Sequence, residues 1–315
     1  MKVWQGCMIA LARSGAVTRF MQDLAPTSGL ASRFVAGAQV EDAIKTAILL
    51  KSQKLATSAF FLGEYVTDRE KVEANVAGIL GAVAAIDGAK VDLHISVDPS
   101  QVGYAINDEL GATNAMRIAE AMGEKSVSGR KTLMLDMEDE NYVQRTIALH
   151  NTLADAGYPV AITIQAYLRR SKSDVRDLAE RGAMVRLVKG AFVGSSKTAF
   201  TTRREIDESY HRLGSLMMSK EAREAGAYPV FGTHDDKIIG PLREKARDEG
   251  WKPQSYEFEM LYGVRPRVQQ SLAAEGESVR LYLPFGRDWW PYAVRRLGEN
   301  PRNAWLVAKA LISRK

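Results

Sequence analysis

Short apolar runs and longer amphipathic stretches alternate along most of this chain. The alternation predicts βαβ units built around a parallel sheet. The predicted strands are Leu55–Leu62, Val91–Val97, Thr132–Asp136, Val160–Gln165, Met184–Val188, Tyr228–Gly232, Ser255–Glu259 and Val279–Pro284. Eight strands within 315 residues match the strand count of a (βα)8 barrel. A doubly wound open sheet with one strand miscounted is the alternative.

The segments between these strands have the length and periodicity of helices. They are Asp68–Ala85, Gly111–Met122, Asn141–Ala156, Ser173–Arg181, Glu205–Ala225 and Pro241–Glu249. No linker or change in composition divides the chain. We therefore expect a single α/β barrel domain over residues 1–315, with residues 1–50 forming extra N-terminal helices and residues 51–315 forming the barrel.

Composition narrows the function classes. The single cysteine, Cys7, excludes an internal disulfide and a CxxC zinc site, and it fits a reducing cytoplasm. A net charge of +5 without a block of lysines or arginines argues against nucleic-acid binding. The four histidines lack HxH or HExxH spacing, which argues against a zinc site. The acidic run "LDMEDE" could suggest a divalent metal, but helix N-terminal charge and loop solvation are the favoured interpretation, so no metal site is predicted. No segment has the length of a membrane span and no GxSxG is present.

Polar residues stand at or near the C-terminal ends of seven consecutive predicted strands. In order they are Asp98, Asp136, Gln165, Arg186 with Lys189, His234, Glu257 with Glu259, and Tyr282. Enzymes with this barrel place their chemistry on the C-terminal rim. The pattern therefore predicts an active site on that rim.

The fifth strand and the segment after it offer groups for an anionic cofactor. GxGxxG and GxxxxGK are both absent, so neither a Rossmann turn nor a P-loop is predicted. In "VRLVKGAFVG", Arg186, Lys189 and Gly190 could contact a phosphate or a flavin, although Arg186 could equally form a buried ion pair. Thr202 and Glu205 have capping-box spacing, which fits either an anion-binding helix start or a plainly capped surface helix. Lys189 as a Schiff-base residue of a barrel lyase or aldolase is a further alternative.

The stretch "WWPYAVRRLGEN" places Tyr292, Arg295, Arg296 and Glu299 on one helical stripe at i, i+3, i+4 and i+7. Alone, this stripe would be read as a solvated helix face. Because the helix follows the eighth strand, it can lie over the barrel mouth. The two arginines then become a clamp for a carboxylate.

Eight stretches, taken in order, carry a resemblance to a known family. They are "FFLGEYVTD", "HISVDPSQVG", "LMLDMEDE", "TIQAYLRRS", "VRLVKGAF", "FGTHDD", "YEFEMLYGVRP" and "RLYLPFGRDWWPYAVRRLGENPRN", spanning residues 60–303. The chain resembles the proline dehydrogenases, in their monofunctional bacterial form. The resemblance implies a distorted (βα)8 barrel with noncovalent FAD on its rim. It also implies oxidation of L-proline to Δ1-pyrroline-5-carboxylate by hydride transfer to flavin N5, in proline catabolism.

The resemblance also implies roles for individual residues. The residues expected to bind the cofactor are Gln165, Arg186, Lys189, Gly190, Ala191, Thr202, Arg203, Thr233 and His234. Around the substrate, Arg295 and Arg296 are expected to bind the carboxylate, and Tyr282 and Leu261 to pack on the ring. Tyr292 and Glu299 would support the two arginines. Asp136 and Asp98 are the remaining residues expected in the substrate site. A quinone or another acceptor would take the electrons. Independently of the resemblance, the pattern of the C-terminal "NAWLVAKALISRK" predicts a short amphipathic helix with basic residues at its end. This favours packing against the barrel or a second subunit, with peripheral contact at the inner membrane face as the alternative.

Three positions depart from the family pattern. Asp98 stands where a lysine is usual, Glu259 where a glutamine is usual, and Arg203 where a lysine is usual. Asp98 reverses a charge in the expected pocket, and it leaves three outcomes open. Proline remains the substrate, or another cyclic amine such as a hydroxyproline replaces it, or the barrel binds flavin without efficient turnover. The sequence names no proton acceptor.

Overall fold

A closed barrel of eight parallel strands forms the centre of the molecule. The computed structural model describes residues 31–63, 66–89, 91–123, 131–190 and 195–299. The strands neighbour one another in chain order, and the last pairs with the first. They are β1 Ala56–Phe61, β2 Leu93–Val97, β3 Lys131–Leu135, β4 Val160–Gln165, β5 Met184–Val188, β6 Tyr228–Gly232, β7 Glu257–Leu261 and β8 Val279–Phe285. The predicted (βα)8 barrel is confirmed, and the open-sheet alternative is wrong.

Each predicted strand coincides with one in the barrel, and the differences lie at the ends. The seventh shows the largest shift, because both of its ends move: it was predicted as Ser255–Glu259 and runs Glu257–Leu261. Ser255 is held in a turn, where its hydroxyl accepts a hydrogen bond from the Lys252 N–H at 3.1 Å and donates one to the Lys252 carbonyl at 2.7 Å. The strand gains Leu261 at its other end.

Helices surround the barrel. They are α1 Ala31–Phe34, α2 Val40–Ser52, α3 Arg69–Asp87, α4 Asp108–Met122, α5 Val143–Asp155, α6 Ser171–Glu180, α7 Arg203–Met217, α8 Lys220–Glu224, α9 Asp236–Asp248, α10 Pro266–Ala274 and α11 Trp289–Glu299. Residues 1–30 lie outside the described residues, as does the C-terminal segment 300–315. The single-domain organisation stays a prediction. Within the described part of the chain, no helix is both long enough and apolar enough to cross a membrane.

Two helix predictions were wrong. Glu205–Ala225 is two helices, α7 and α8, because the side chain of Ser219 accepts a hydrogen bond from the Ala222 N–H and starts a new helix. The helix predicted to start at Pro241 begins at Asp236, where Asp235 is the N-cap. Pro241 therefore lies inside α9 rather than at its start.

The strands divide their side chains between two environments. Leu93, Ile95 and Val97 of β2 face outward into an apolar cluster shared with the helices. The alternate positions face the barrel interior, where Ser96 lies 3.5 Å from a guanidinium nitrogen of Arg186. Strand alternation thus places polar side chains inside the barrel and keeps the main apolar core between barrel and helices.

A buried ion pair lies in the barrel interior where β8 closes on β1. Arg280 is 1% exposed and donates to Glu257 at 2.7 Å and to the Thr57 carbonyl at 2.7 Å. Asp92 takes a further bond from the same guanidinium at 3.1 Å. These contacts join strands at opposite ends of the sequence.

Candidate active site

A cavity of about 960 Å³ opens at the C-terminal ends of the strands. We call it the rim cavity. It brings together thirteen of the residues that the sequence singled out: Asp98, Asp136, Gln165, Arg186, Lys189, Gly190, Arg203, Thr233, His234, Leu261, Tyr282, Tyr292 and Arg296. Residues from most strands of the barrel and from helix α11 therefore share one space.

Four other predicted site residues are not among the described residues that line the rim cavity. Thr202 lies at the start of α7, where it and Glu205 form a capping box, with the Thr202 N–H donating to the Glu205 carboxylate at 3.1 Å. This matches the reading of a plainly capped helix. Ala191 lies outside the described residues, as do the side chains of Arg295 and Glu299.

A buried ionic network forms the floor of the rim cavity. The Arg186 guanidinium contacts Asp136 through Nη2 and Glu259 through Nη1, the latter at 3.1 Å. Its Nε donates to the Thr163 hydroxyl at 3.0 Å. The ion pair that the sequence offered as one reading of Arg186 is therefore present, with two carboxylates rather than one.

Tyr282 joins this network to the cavity wall. Its hydroxyl donates to Asp136 at 2.8 Å, and its ring lies 5.3 Å from the Arg186 guanidinium carbon. The ring also packs against Phe60 at a centroid distance of 5.2 Å. Because the hydroxyl and the ring face are both held, Tyr282 presents a fixed surface to anything bound above the floor.

Glu259 lies on the same floor. The strand-end pattern placed it among the polar residues of the rim, but no role in the site was predicted for it. Its Oε1 accepts from the Ser58 hydroxyl at 2.5 Å and from Arg186 at 3.1 Å. Its Oε2 is buried and has no hydrogen-bond partner among the described residues. The available signal was its place two residues before Leu261, which puts both side chains on one face of β7.

Lys189 and Arg203 provide positive charge at another part of the cavity. The Lys189 ammonium lies 2.6 Å from Asp207 and 2.9 Å from Asp235. Arg203 is 3.7 Å from the same two carboxylates, with its side chain 83% exposed. Burial raises the pKa of Asp235, but the hydrogen bond and charge of Lys189 outweigh it and lower that pKa below the ordinary value. Sequence reasoning missed both aspartates, because their pairing with Lys189 is visible only in three dimensions.

Two further features suit a planar ligand with polar edges. The Gln165 side-chain N–H donates to the Met137 carbonyl at 3.1 Å, while its Oε1 is buried without a partner among the described residues. Gly190 has φ +96°, and a Cβ there would collide with the Tyr167 ring. A side chain is thus excluded at the point where β5 leaves the barrel.

His234 is held as a neutral imidazole. Burial, followed by the charges of Arg296 and Arg265, lowers its pKa from 6.5 to about 4. The Leu261 N–H donates to its Nε2 at 3.2 Å, which requires that nitrogen to be unprotonated. The proton at neutral pH is therefore on Nδ1.

Helix α11 carries a positive charge to the cavity. Arg296 lines it, and its guanidinium carbon lies 5.2 Å from the centre of the Tyr292 ring, which is buried. Asp98 lines the wall at the end of β2. From α11, Arg296 therefore offers a guanidinium to an anionic group in the cavity, and several carboxylates of the wall offer acceptors to donors. Among the described residues, no group of three or more histidine, cysteine or acidic side chains could hold a metal ion.

Comparison with known proteins gives a consistent result. The sequence model of a family described as Proline dehydrogenase matches residues 43–309. Proline dehydrogenase from Deinococcus radiodurans is 34% identical over 288 residues, covering 90% of each chain. Proline dehydrogenase 1 from Bacillus subtilis (strain 168) is 30% identical over 304 residues, covering 96% of this chain and 97% of its own.

Solved structures agree on the fold. Proline utilization A (PutA) from Bdellovibrio bacteriovorus, inactivated by N-propargylglycine, has a TM-score of 0.76 and 22% identity over 89% of this chain. PutA from Corynebacterium freiburgense has a TM-score of 0.74 and 21% identity over 98% of it. This chain spans 34% and 35% of those two chains, about a third of their length.

Proposed function

The chain belongs to the proline dehydrogenase family, and from that premise we propose that it oxidises L-proline to Δ1-pyrroline-5-carboxylate with FAD as its cofactor. The observation that carries the proposal is the rim cavity. It combines an arginine on α11 with an aromatic and aliphatic wall and with a second region that holds Lys189, Gly190 and the buried amide oxygen of Gln165, which has no partner among the described residues. The family makes the protein an oxidoreductase, and the cofactor, product and reaction path are the proposed part.

The residues at the ends of β4, β5 and β6 fit a flavin dinucleotide. Gln165 offers a buried amide oxygen to a ring N–H, and His234 offers its Nδ1 proton, which has no acceptor among the described residues. Lys189 and Arg203 supply cations for phosphates. Gly190 lines the cavity as bare backbone, because a Cβ there would collide with the Tyr167 ring. Thr233 lines the same cavity and is the remaining expected contact.

The substrate would lie between α11 and the floor. Arg296, which lines the cavity, would bind the carboxylate, and Arg295 is proposed as the second half of that clamp. Tyr282 and Leu261 would pack on the pyrrolidine ring. A carboxylate held by a guanidinium fork loses most of its rotational freedom, and such orientation contributes several kcal/mol to rate acceleration.

Bound FAD would supply the acceptor for a hydride from the ring carbon, which is chemistry that no side chain offers. The protein's own work is then to orient the ring and to exclude water. Tyr282 would do both, since its hydroxyl is fixed on Asp136 and its ring lies over Arg186. We further propose that a quinone or another acceptor removes the electrons. A cytoplasmic location, with peripheral contact at the inner face of the membrane, completes the proposal, and the single cysteine supports the reducing compartment.

A second candidate substrate is favoured by one observation. Asp98 lines the rim cavity, where its carboxylate could accept a hydrogen bond from a ring hydroxyl. A hydroxyproline would provide that hydroxyl. The reaction type and the cofactor would be the same.

The test is to mix the purified protein anaerobically with L-proline and follow the visible absorbance of its flavin. Bleaching by L-proline supports the proposal. Bleaching by a hydroxyproline alone supports the second candidate. A colourless protein contradicts the flavin assignment, and a yellow protein that no cyclic amine bleaches is a flavin-binding barrel without turnover. Arg296→Met is the matched variant, because it should bind flavin and lose response to low substrate concentrations.

A further inference from the structure

We infer that Glu259 binds the ring amine of the substrate, and that the rim cavity therefore takes its ligand as a zwitterion. The inference rests on the proposed function. It assigns the role of binding the substrate nitrogen to a side chain that the family resemblance did not assign to the site.

The first step is the burial of the Glu259 carboxylate and the hydrogen-bond donors around it. The residue is 4% exposed, and both of its described donors, Ser58 and Arg186, bind the same oxygen, Oε1. Oε2 is buried and lacks a partner among the described residues, yet the residue lines the cavity. A buried carboxylate oxygen without a donor is costly. The position is therefore suited to a ligand that brings a donor.

The second step is the charge around it. Arg186 is the cation of the cavity floor, and two carboxylates, Asp136 and Glu259, share it. The next arginine in the interior, Arg280, is bonded to Glu257 and Asp92. The described part of the floor thus carries one more negative than positive charge, which favours a cationic donor such as an ammonium over a neutral one.

The third step is the direction of the ligand. Glu259 is two residues before Leu261 on one face of β7, and Leu261 pairs in register with Tyr282 of β8. A ring packed on Leu261 and Tyr282 would lie directly above Glu259. Arg296 provides the opposite charge from α11 in the same cavity. A carboxylate toward Arg296 and an amine toward Glu259 match the two charges of a cyclic amino acid.

The test compares two ligands on one variant. Glu259→Gln keeps the shape, and its carbonyl oxygen can retain the bonds from Ser58 and Arg186. It then places an amide N–H, a donor, where Oε2 was an acceptor. The second ligand is tetrahydrofuran-2-carboxylate, in which a ring oxygen replaces the amine. We expect the KM for L-proline to rise roughly tenfold to a hundredfold, the cost of losing a charge-assisted hydrogen bond. The ring-oxygen analogue should bind the variant as well as, or more tightly than, the wild type.

Affinity for the analogue is measured on the holoprotein by thermal shift and by perturbation of the flavin spectrum, so the readout does not depend on turnover. Glu138→Gln is the matched control. Glu138 lines the same cavity, is also 4% exposed, and both its oxygens accept from Ser100, at 2.6 and 2.7 Å. Removing that charge should change the affinities for the two ligands by similar factors.

A reversal of preference that occurs in Glu259→Gln and not in Glu138→Gln supports the inference. If Glu259→Gln changes the affinities for both ligands equally, the inference is overturned. It is also overturned if the variant loses flavin while the ratio of the two affinities is unchanged, because Glu259 would then bind a donor group of the cofactor and not of the substrate. If L-proline fails to bleach the wild-type flavin, the proposed function fails. If bleaching occurs and the ratio is unchanged, only the role of Glu259 is wrong.

Discussion

Replacing Arg186 with methionine should destabilise the fold far more than replacing an exposed arginine. Arg186 is the cation shared by two carboxylates, and the side chains of Arg186, Asp136 and Glu259 are only 6%, 11% and 3% exposed. Methionine fills a similar volume but offers no charge. The variant therefore leaves two carboxylates facing each other in the barrel interior.

The magnitude follows from that burial. Removing one partner of a buried ion pair costs about 3–5 kcal/mol, because the other charge is left uncompensated. Exposed pairs are worth about 0–1 kcal/mol. Adding Glu259→Gln to Arg186→Met removes one of the two stranded charges. It should therefore restore roughly 1–3 kcal/mol, the range for a buried unsatisfied group.

The assay is urea unfolding at neutral pH, followed by far-ultraviolet circular dichroism. Arg181→Met is the control, since Arg181 pairs with Asp155 on the surface, with side chains 46% and 67% exposed. Its free energy of unfolding should fall by less than about 1 kcal/mol. If Arg186→Met costs no more than this control, or if adding Glu259→Gln lowers the stability further instead of restoring part of it, the account of Arg186 as the counter-ion of both carboxylates is wrong.

Three further predictions concern the cavity and its rim. Gly190→Ala should lower both the flavin content and the stability of the purified protein. Gly157→Ala is the control, because Gly157 has a similar φ of +87° but open space around it, so it should keep the flavin and cost only the backbone strain of about 1–2 kcal/mol. The measurements are the flavin-to-protein absorbance ratio and urea unfolding, and equal flavin loss in both variants would contradict the steric argument. His234→Gln should flatten the acid dependence of stability: with a folded-state pKa of about 4 against 6.5, the unfolded chain binds the proton more readily between those values, so wild-type stability falls with falling pH by up to about 3 kcal/mol. Unfolding free energies that fall equally in variant and wild type would assign the acid sensitivity elsewhere. Arg296→Lys should raise the KM for L-proline about tenfold or more with a smaller change in kcat, because the planar fork is lost; steady-state kinetics with an unchanged KM would remove Arg296 from the clamp.

The strand pattern of this chain is readable because a barrel strand alternates strictly. The outward positions of β2 are aliphatic and the inward ones polar, so both the strand and its orientation follow from a few letters. The ends of helices are harder to predict from the sequence, since they depend on which side chains form capping hydrogen bonds. The break after Met217 is made by the hydroxyl of Ser219, which caps the next helix. The sequence does not show whether a serine inside an amphipathic run caps a helix or lies in solvent.

The site was predictable to the extent that it follows the strand ends. Lys189 and Tyr282 come from that rule alone. Their partners do not, because the contacts are made across the barrel. Glu259 meets Ser58 from 201 residues away, and Lys189 meets Asp207 on a helix whose acidic residues look like ordinary surface charge. A single sequence carries no signal for such pairs. The place of Glu259 at a strand end was therefore predictable, but its contacts with Ser58 and Arg186 were not.

Closure of the barrel has to wait until the last strand, β8, has been synthesised. Thr57 accepts a hydrogen bond from Arg280, 223 residues further along, and β1 pairs with β8 from Ala56 opposite Arg280 to Phe61 opposite Phe285. At synthesis rates of about 5–20 residues per second, β1 waits roughly 10–45 seconds for its partner. During that time its open edge offers unpaired backbone groups to any other strand. The ribosome-bound chain is therefore the stage at which this edge is open to pairing with a wrong strand.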